Sequence, residues 1–410
     1  MNYSKTTNLT QLSRNPLQFS LPAVICLCVY LAASILGYIT WIPGSLVSVS
    51  LYGLIALGAI CLLLNGRIAL SSYSVWCLLF VALCGISCLY AVSSAKAIAM
   101  TVTMVKVFLF GFVITNIINN EQRMKAAMAA SSISAVILFI YLANTGLLDL
   151  EEGERLGNEL TGNANIFASK FMISAMCSVY LVFFLKRKLF KILFSAAFVV
   201  QLMALALSGG RKYFLVLILL VVGMLIQRTD KNGRKNLIWN IFVAGAALVA
   251  IWWAMFNIEF LYKSIGYRME GFLALFSGEG NVDLSTAHRQ GMIEDALELW
   301  AQSPLLGHGI HSFSALTYWE VYAHNNYVEL LCDLGIIGTT LYYGYFIYLL
   351  LKLLVSSIPT LKKSFWILVI IGLLVYDFGA VSYYSFLQHL MLVFAMQEAV
   401  RTATVESTAS

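Results

Sequence analysis

Apolar residues run along this chain in long, nearly unbroken blocks separated by short polar breaks. Twelve blocks can be drawn, at about 21–41, 44–64, 73–92, 98–118, 125–144, 166–185, 189–207, 213–227, 237–256, 328–354, 364–381 and 383–399. Most approach the roughly 20 residues a helix needs to cross a hydrocarbon core of about 30 Å. A span isolated in lipid must close its own backbone hydrogen bonds, so each block predicts an α-helix. The ten-residue alternation of an outer-membrane barrel is not present. The expected fold is an all-α polytopic membrane protein with about twelve transmembrane helices. Residues 1–20 and 400–410 become cytoplasmic tails, 21–256 transmembrane helices one to nine, 257–327 one large helical extracytoplasmic loop, and 328–399 transmembrane helices ten to twelve.

Composition agrees. The 410 residues are 60% hydrophobic and only 11% charged, with a mean hydropathy of +0.83, whereas soluble domains carry about 25% charged residues. The net charge of +6 does not imply nucleic acid, because most basic residues lie in short loops, the signal that orients membrane helices. The first twenty residues are polar, so no cleavable leader is expected, and the tail Thr402–Ser410 is expected to be disordered. The eight cysteines fall in or beside apolar blocks and form no CxxC pair. They read as small buried hydrophobes rather than disulfides or metal ligands.

With the N-terminus in the cytoplasm and twelve crossings, seventeen of the 26 Lys and Arg fall inside, as the positive-inside rule requires. The other nine need another account. Arg155, Arg211, Lys212, Lys263, Arg268 and Arg289 fall outside, while Lys96, Lys106 and Lys170 lie in or near spans. Of the two long outer loops, the first, about 145–165, is acidic and ends in Thr161-Gly162-Asn163-Ala164-Asn165, where the asparagines suit a helix cap.

The second outer loop concentrates the chemistry. A helix over Gln290–Ser303, led by Arg289 and stopped by Pro304, aligns Arg289 with Ile293, Ala296 and Trp300, and sets Glu294, Asp295 and Glu298 opposite. Arg289 therefore heads the face expected to pack on the bundle. It reads either as snorkelling at a helix end or as a cation aimed into a pocket for an anion. His324 leads the next apolar helix, with Val328, Leu331 and Gly335 below it, and Gly335 and Gly338 suit close approach of a neighbouring helix. It can be a hydrogen-bonded structural residue or a proton-exchanging one; beside Arg289 the second reading is favoured. Ser208-Gly209-Gly210-Arg211-Lys212 is a tight outer turn with two cations and approachable backbone N–H groups. It suits a phosphate-bearing partner or anchoring to lipid headgroups. Lys106, near mid-span, needs a cavity or a partner, and Asp377 and Lys170 could pair. A metal is the competing idea: His308 and His311, with His288 or His324, could bind zinc, but Gly307 and Gly309 interrupt the spacing and no third ligand is fixed. No metal and no cofactor are expected.

These residues resemble the bacterial O-antigen ligase and polymerase family of membrane glycosyltransferases. The resemblance rests on Ser208-Gly209-Gly210-Arg211, on Arg289 with Trp300 and Ser303-Pro304-Leu305-Leu306-Gly307-His308-Gly309, and on His324-Asn325 followed after nine residues by Gly335-Ile336-Ile337-Gly338. Gly162-Asn163-Ala164-Asn165 is similar to the family as well, while Arg268 lies in a stretch with no secure counterpart. The resemblance implies a GT-C-like arrangement of about twelve helices with one large periplasmic loop. It further implies a polyprenyl (undecaprenyl) diphosphate-linked glycan as donor and a lipid A-core sugar or a lipid-linked repeat unit as acceptor, with membrane lipids as surroundings and no nucleic acid. Arg211 and Arg289, with Lys212 and Arg268, would hold the diphosphate; His324 would activate the acceptor; Asn163, Asn165, Asn325 and Lys106 are supporting candidates. Guanidinium groups can stabilise a departing diphosphate without a metal, and attack opposite the leaving group would invert the anomeric centre. The expected function is an inverting, inner-membrane O-antigen ligase with both termini cytoplasmic and a periplasmic site. A repeat-unit polymerase of the same family is the alternative, and a polyprenyl-lipid transporter or flippase the rival from another class. Transporters often show paired halves and broken helices, and neither is evident here.

Overall fold

The computed structural model describes residues 21–65, 68–148, 150, 154–227, 236–266, 269–270 and 284–401. The expected N-terminal tail, residues 402–410 of the C-terminal one, Arg67, the basic run 228–235 and Arg268 lie outside the described residues. The chain runs through α1 (Leu21–Leu36), α2 (Ser45–Asn65), α3 (Ser72–Ser87), α4 (Ser94–Ile117), α5 (Glu121–Asn144), α6 (Asn158–Thr161), α7 (Ala164–Phe184), α8 (Lys188–Leu207), α9 (Arg211–Gln227), α10 (Leu237–Asn257), α11 (Leu284–Gln302), α12 (Phe313–Leu316), α13 (Asn326–Val355), α14 (Thr360–Asp377) and α15 (Phe386–Ala399). No strand occurs among the described residues.

Each of the twelve apolar blocks coincides with a helix. Six helices, α2, α4, α5, α7, α8 and α13, are long and apolar enough to cross a membrane. The apolar α1 and α3 have only 16 residues each, about 24 Å at 1.5 Å per residue. The chain is a polytopic helical membrane protein with these six candidate spans among its described residues.

Side-chain caps start several helices where the sequence offers Asn or Ser. Asn120 accepts from Arg123 N at 2.9 Å, Asn163 from Asn165 N at 2.9 Å, and Asn325 from Tyr327 N at 2.9 Å. Each satisfies an amide that a helix N-terminus leaves open. Between helices, polar side chains act as ties where lipid offers no hydrophobic drive. Ser131 meets Ser174 at 2.9 Å, Ser132 meets Ser178 at 2.6 Å, and Ser178 donates to Gln201 Oε1 at 2.8 Å, fastening α5, α7 and α8.

The twenty-one-residue α7 separates two polar clusters by about 30 Å. At its C-terminal end Lys125 Nζ donates to Phe184 O at 2.7 Å and pairs with Glu121 at 2.7 Å. Glu121 also takes Lys362 at 2.5 Å and Arg401 at 3.7 Å. At its N-terminal end lie Asn163, Asn165 and the loop residues they hold.

The helix α13 is broken at Gly335 (φ 62°, ψ −164°). In an unbroken helix the amides of 336 and 337 would bond the carbonyls of 332 and 333. Here Ile336 N donates to Pro304 O at 2.9 Å and Ile337 N to Leu305 O at 3.2 Å. The freed carbonyls of Cys332 and Asp333 accept from His308 N at 2.9 Å and Gly309 N at 2.8 Å. The segment 304–309 is thus spliced into the helix, and the broken ladder is closed from outside. This corrects the expectation for the glycine pair. A Cβ on Gly335 would lie 2.3 Å from Leu305 O, and one on Gly338 2.2 Å from Leu334 Cβ. The close approach is made by loop backbone and by α13's own side chain, not by a neighbouring helix.

Candidate functional site

The helix α11 begins at Leu284, so Arg289 lies in its second turn instead of leading it. Met292 and Ala296 are buried, and Ile293 and Leu299 pack beside them against Phe313, Ala323, Val328 and Cys332. Arg289, half-buried, sits at the end of this face, as the periodicity predicted. The opposite side is less uniform than expected: Asp295 accepts the indole N–H of Trp319 at 2.7 Å.

Two carboxylates one turn apart on α13 shape the loop that carries His324. Asp333, fully buried, accepts from the amides of His311 at 2.7 Å, Ser312 at 2.9 Å and Phe313 at 3.1 Å. Glu329, also fully buried, accepts from Ala323 N at 2.6 Å. Together they fix both ends of the segment 311–323. His324 follows directly, with φ 53°, in the left-handed region that non-glycine residues seldom occupy.

His324 is half-buried, and its ring lies 4.4 Å from that of Tyr322. Burial first, then the positive charges of Arg289 and Lys212, push the imidazole down to about 4. It is therefore neutral near pH 7, an acceptor of protons rather than a charge. Tyr322 is held in turn by Asn163, whose Nδ2 donates to the phenol oxygen at 3.0 Å. Burial pushes that phenol up, and the Asn163 bond and Arg289 oppose the shift.

Lys212, in the first turn of α9, lies within electrostatic reach of Arg289, Arg155 and Asp377. Its ammonium donates to Gly379 O and sits over the rings of Tyr376 at 4.9 Å and Tyr213 at 5.2 Å. Arg155 donates through Nε to Ser208 O at 2.7 Å and through Nη2 to Asn165 Oδ1 at 3.2 Å. It also borders a recess of about 260 Å³ between Gly146 and Leu160. The acidic loop is thereby tied to the Ser208–Lys212 turn, which Gly209 makes possible with φ 63°.

The structure brings Arg289 and Lys212 within electrostatic reach of His324, with Asn163 reaching the ring through Tyr322 and Asn165 tied to Arg155. Arg211 is half-buried at the first position of α9, and the α9 cation whose charge bears on His324 is Lys212. Asn325 caps α13, so its side chain serves the helix start. Lys106 lies twelve residues into α4 and faces the Tyr52 ring of α2 at 5.8 Å. Lys170 donates to Ser34 O and sits over Tyr38 at 4.3 Å, while Asp377 accepts from Ser382 Oγ and Tyr343 at 3.0 Å; the expected pair does not form. Among the described residues no three His, Cys, Asp or Glu gather as metal ligands. His308 Nε2 instead meets Leu299 O at 2.8 Å.

Sequence reasoning missed four residues that build this place. Arg155 was visible as a basic residue against the charge bias, but nothing tied it to the turn at 208. Glu329 and Asp333 were visible as acids four apart in an apolar helix. Tyr322, in a loop with several aromatics, carried no signal.

Residues 196–343 match the model of the O-antigen ligase family. That segment holds α9, α11 and the break in α13, together with Lys212, Arg289 and His324. Among curated proteins nothing matches the chain.

Proposed function

Starting from a chain whose residues 196–343 carry an O-antigen ligase domain, which supports its place in the O-antigen ligase and polymerase family, we propose that it moves a glycan from a polyprenyl diphosphate carrier to an acceptor sugar. The observation that carries this reading is a neutral imidazole set beside two cations, all on the matched segment. Arg289 and Lys212, with Arg211 beside them, would hold the donor diphosphate; Arg268 remains a candidate for the same role. The acceptor hydroxyl oxygen attacks the anomeric carbon, the carbon–oxygen bond to phosphate breaks, and its electron pair leaves with the diphosphate. The hydroxyl proton passes to His324. Attack opposite the leaving group inverts the anomeric centre. A neutral base contributes roughly 10²–10⁴ in rate, and one fixed donor to the developing charge about 10²–10³. The step is proposed to need no metal.

The site is proposed to face the periplasm, across twelve helices with both termini cytoplasmic. The inner loops assigned from sequence support that sidedness, because Lys125, Lys362 and Arg401 from three of them meet at one end of α7, and the candidate site lies at the other. A ligase acting on a lipid A-core sugar is the preferred form. The test is the purified chain with lipid-linked glycan, acceptor and EDTA. Transfer at the wild-type rate by Arg289→Ala or His324→Ala would overturn the site, and an absolute need for added metal would overturn the mechanism. Removing the gene separates the acceptors: a ligase leaves long carrier-linked chains, whereas a polymerase leaves single repeats on the acceptor.

A further inference from the structure

The base proposed above sits on an uncommon piece of backbone, and two side chains from elsewhere in the fold bear on it. Asn163 ends the loop before α7, and its two side-chain ends do different work. Its Oδ1 accepts from Asn165 N at 2.9 Å and caps the helix, while its Nδ2 donates to Tyr322 OH at 3.0 Å. The Tyr322 ring then lies 4.4 Å from the His324 ring, tilted by 55°. Between them Ala323 is anchored through its amide to Glu329 at 2.6 Å. The backbone at 324 is left-handed, a conformation that persists where its surroundings over-determine it.

We infer that Tyr322 is a positioning residue for His324, and that Asn163 is the strut that holds Tyr322 in place. This rests on the transfer reading of His324. A strut from the loop before α7 to the base loop joins two segments that the chain separates by about 160 residues. It fixes the imidazole against the face where Arg289 and Lys212 lie. A base loosened by even about 1 Å loses roughly a hundredfold in favourable cases, so the strut should show in kcat while donor affinity is kept.

Two conservative variants separate the strut from its other duties. Tyr322→Phe keeps the ring and removes the oxygen. Asn163→Ser keeps a good helix cap and is too short to reach Tyr322. With the full chain in detergent, each should lower kcat about tenfold and leave the donor KM within about twofold. The double variant should fall no further than either single one, because both remove one bond. Independent multiplication of the two losses, or full kcat in either variant, overturns the strut.

A second readout needs no transfer. Diethyl pyrocarbonate labelling of His324, followed by mass spectrometry of its peptide between pH 4 and 8, reports access and protonation directly. The groups facing the ring are Arg289 from α11, Lys212 from α9 and Tyr322 from its own loop, with Glu329 of α13 acting on Tyr322. Tyr322→Ala should raise the labelling rate at pH 7 severalfold and move the midpoint upward as the ring gains water. Unchanged labelling overturns the contact. If His324→Ala transfers glycan at full rate while Tyr322→Ala alters labelling, the transfer reading fails and the contact stands.

Discussion

The two ends of α7 put their charged side chains to different uses. At the Phe184 end, Lys125, Lys362 and Arg401 converge on Glu121, and Arg401 also meets Glu398. Cations there are matched by acids of the same chain. At the Asn163 end, Arg289 and Arg155 act on Lys212 as like charges, with Asp377 an acid in its reach. Partners of these cations include the carbonyls of Ser208 and Gly379 and the side-chain oxygen of Asn165. One end pairs its cations with acids; at the other, Arg289 and Lys212 keep a positive field on a neutral imidazole.

The largest effects should come from removing that field or the base within it. Arg289→Ala and His324→Ala are each expected to lower glycan transfer by about 10²–10⁴, measured as lipid-linked donor consumed by purified protein. Arg289→Lys should recover little, because an ammonium does not reproduce the planar fork. Transfer at the parent's rate in all three would erase the distinction between the ends.

The same comparison shows what could be read from the chain. Helix positions followed from the length of apolar runs, and the buried face of α11 from its spacing, because both depend on neighbours in sequence. Partners across long separations did not. Lys170 meets Ser34, Asn163 meets Tyr322, and Arg155 reaches Ser208. Nothing local to either member of each pair specifies the other. The motif Ser303–Gly309 was legible as a pattern, but its splice into α13 was not, since a helix break closed by another segment leaves no periodic trace.

That splice gives the second prediction. Gly335→Ala would place a Cβ 2.3 Å from Leu305 O on a residue with φ 62°. Backbone strain of this kind costs on the order of 1–3 kcal/mol, and the clash adds to it. Thermal unfolding in detergent should shift clearly downward, and transfer should fall with it, because the segment 304–309 anchors the base loop. A variant as stable and active as the parent would mean that the broken ladder does not support the charged end.

The third concerns pH. His324 titrates near 4 instead of the usual 6.5, so the proton-accepting form persists across mildly acid pH. The acid limb of kcat/KM, which reports the free enzyme, should lie near pH 4. Lys212→Met removes a positive neighbour, favours the imidazolium, and should move the limb upward, towards 6.5. The stability term has the matching sign. With the folded value depressed, the unfolded chain binds more protons between about 4 and 6.5. This contribution is present above that window and lost as pH falls through it.

The smallest effects belong to the matched end. Lys362→Ala removes one of three cations around Glu121, all partly exposed, and pairs of this kind contribute about 0.2–1 kcal/mol. The variant should unfold slightly earlier, a difference that shrinks further in high salt as screening grows. Its transfer rate and its acid limb should stay where they were, because about 30 Å and a helix of packed side chains lie between it and His324. A loss of transfer as large as that of Arg289→Ala would show the two ends to be coupled, and the matched end would then have to be counted as part of the working one.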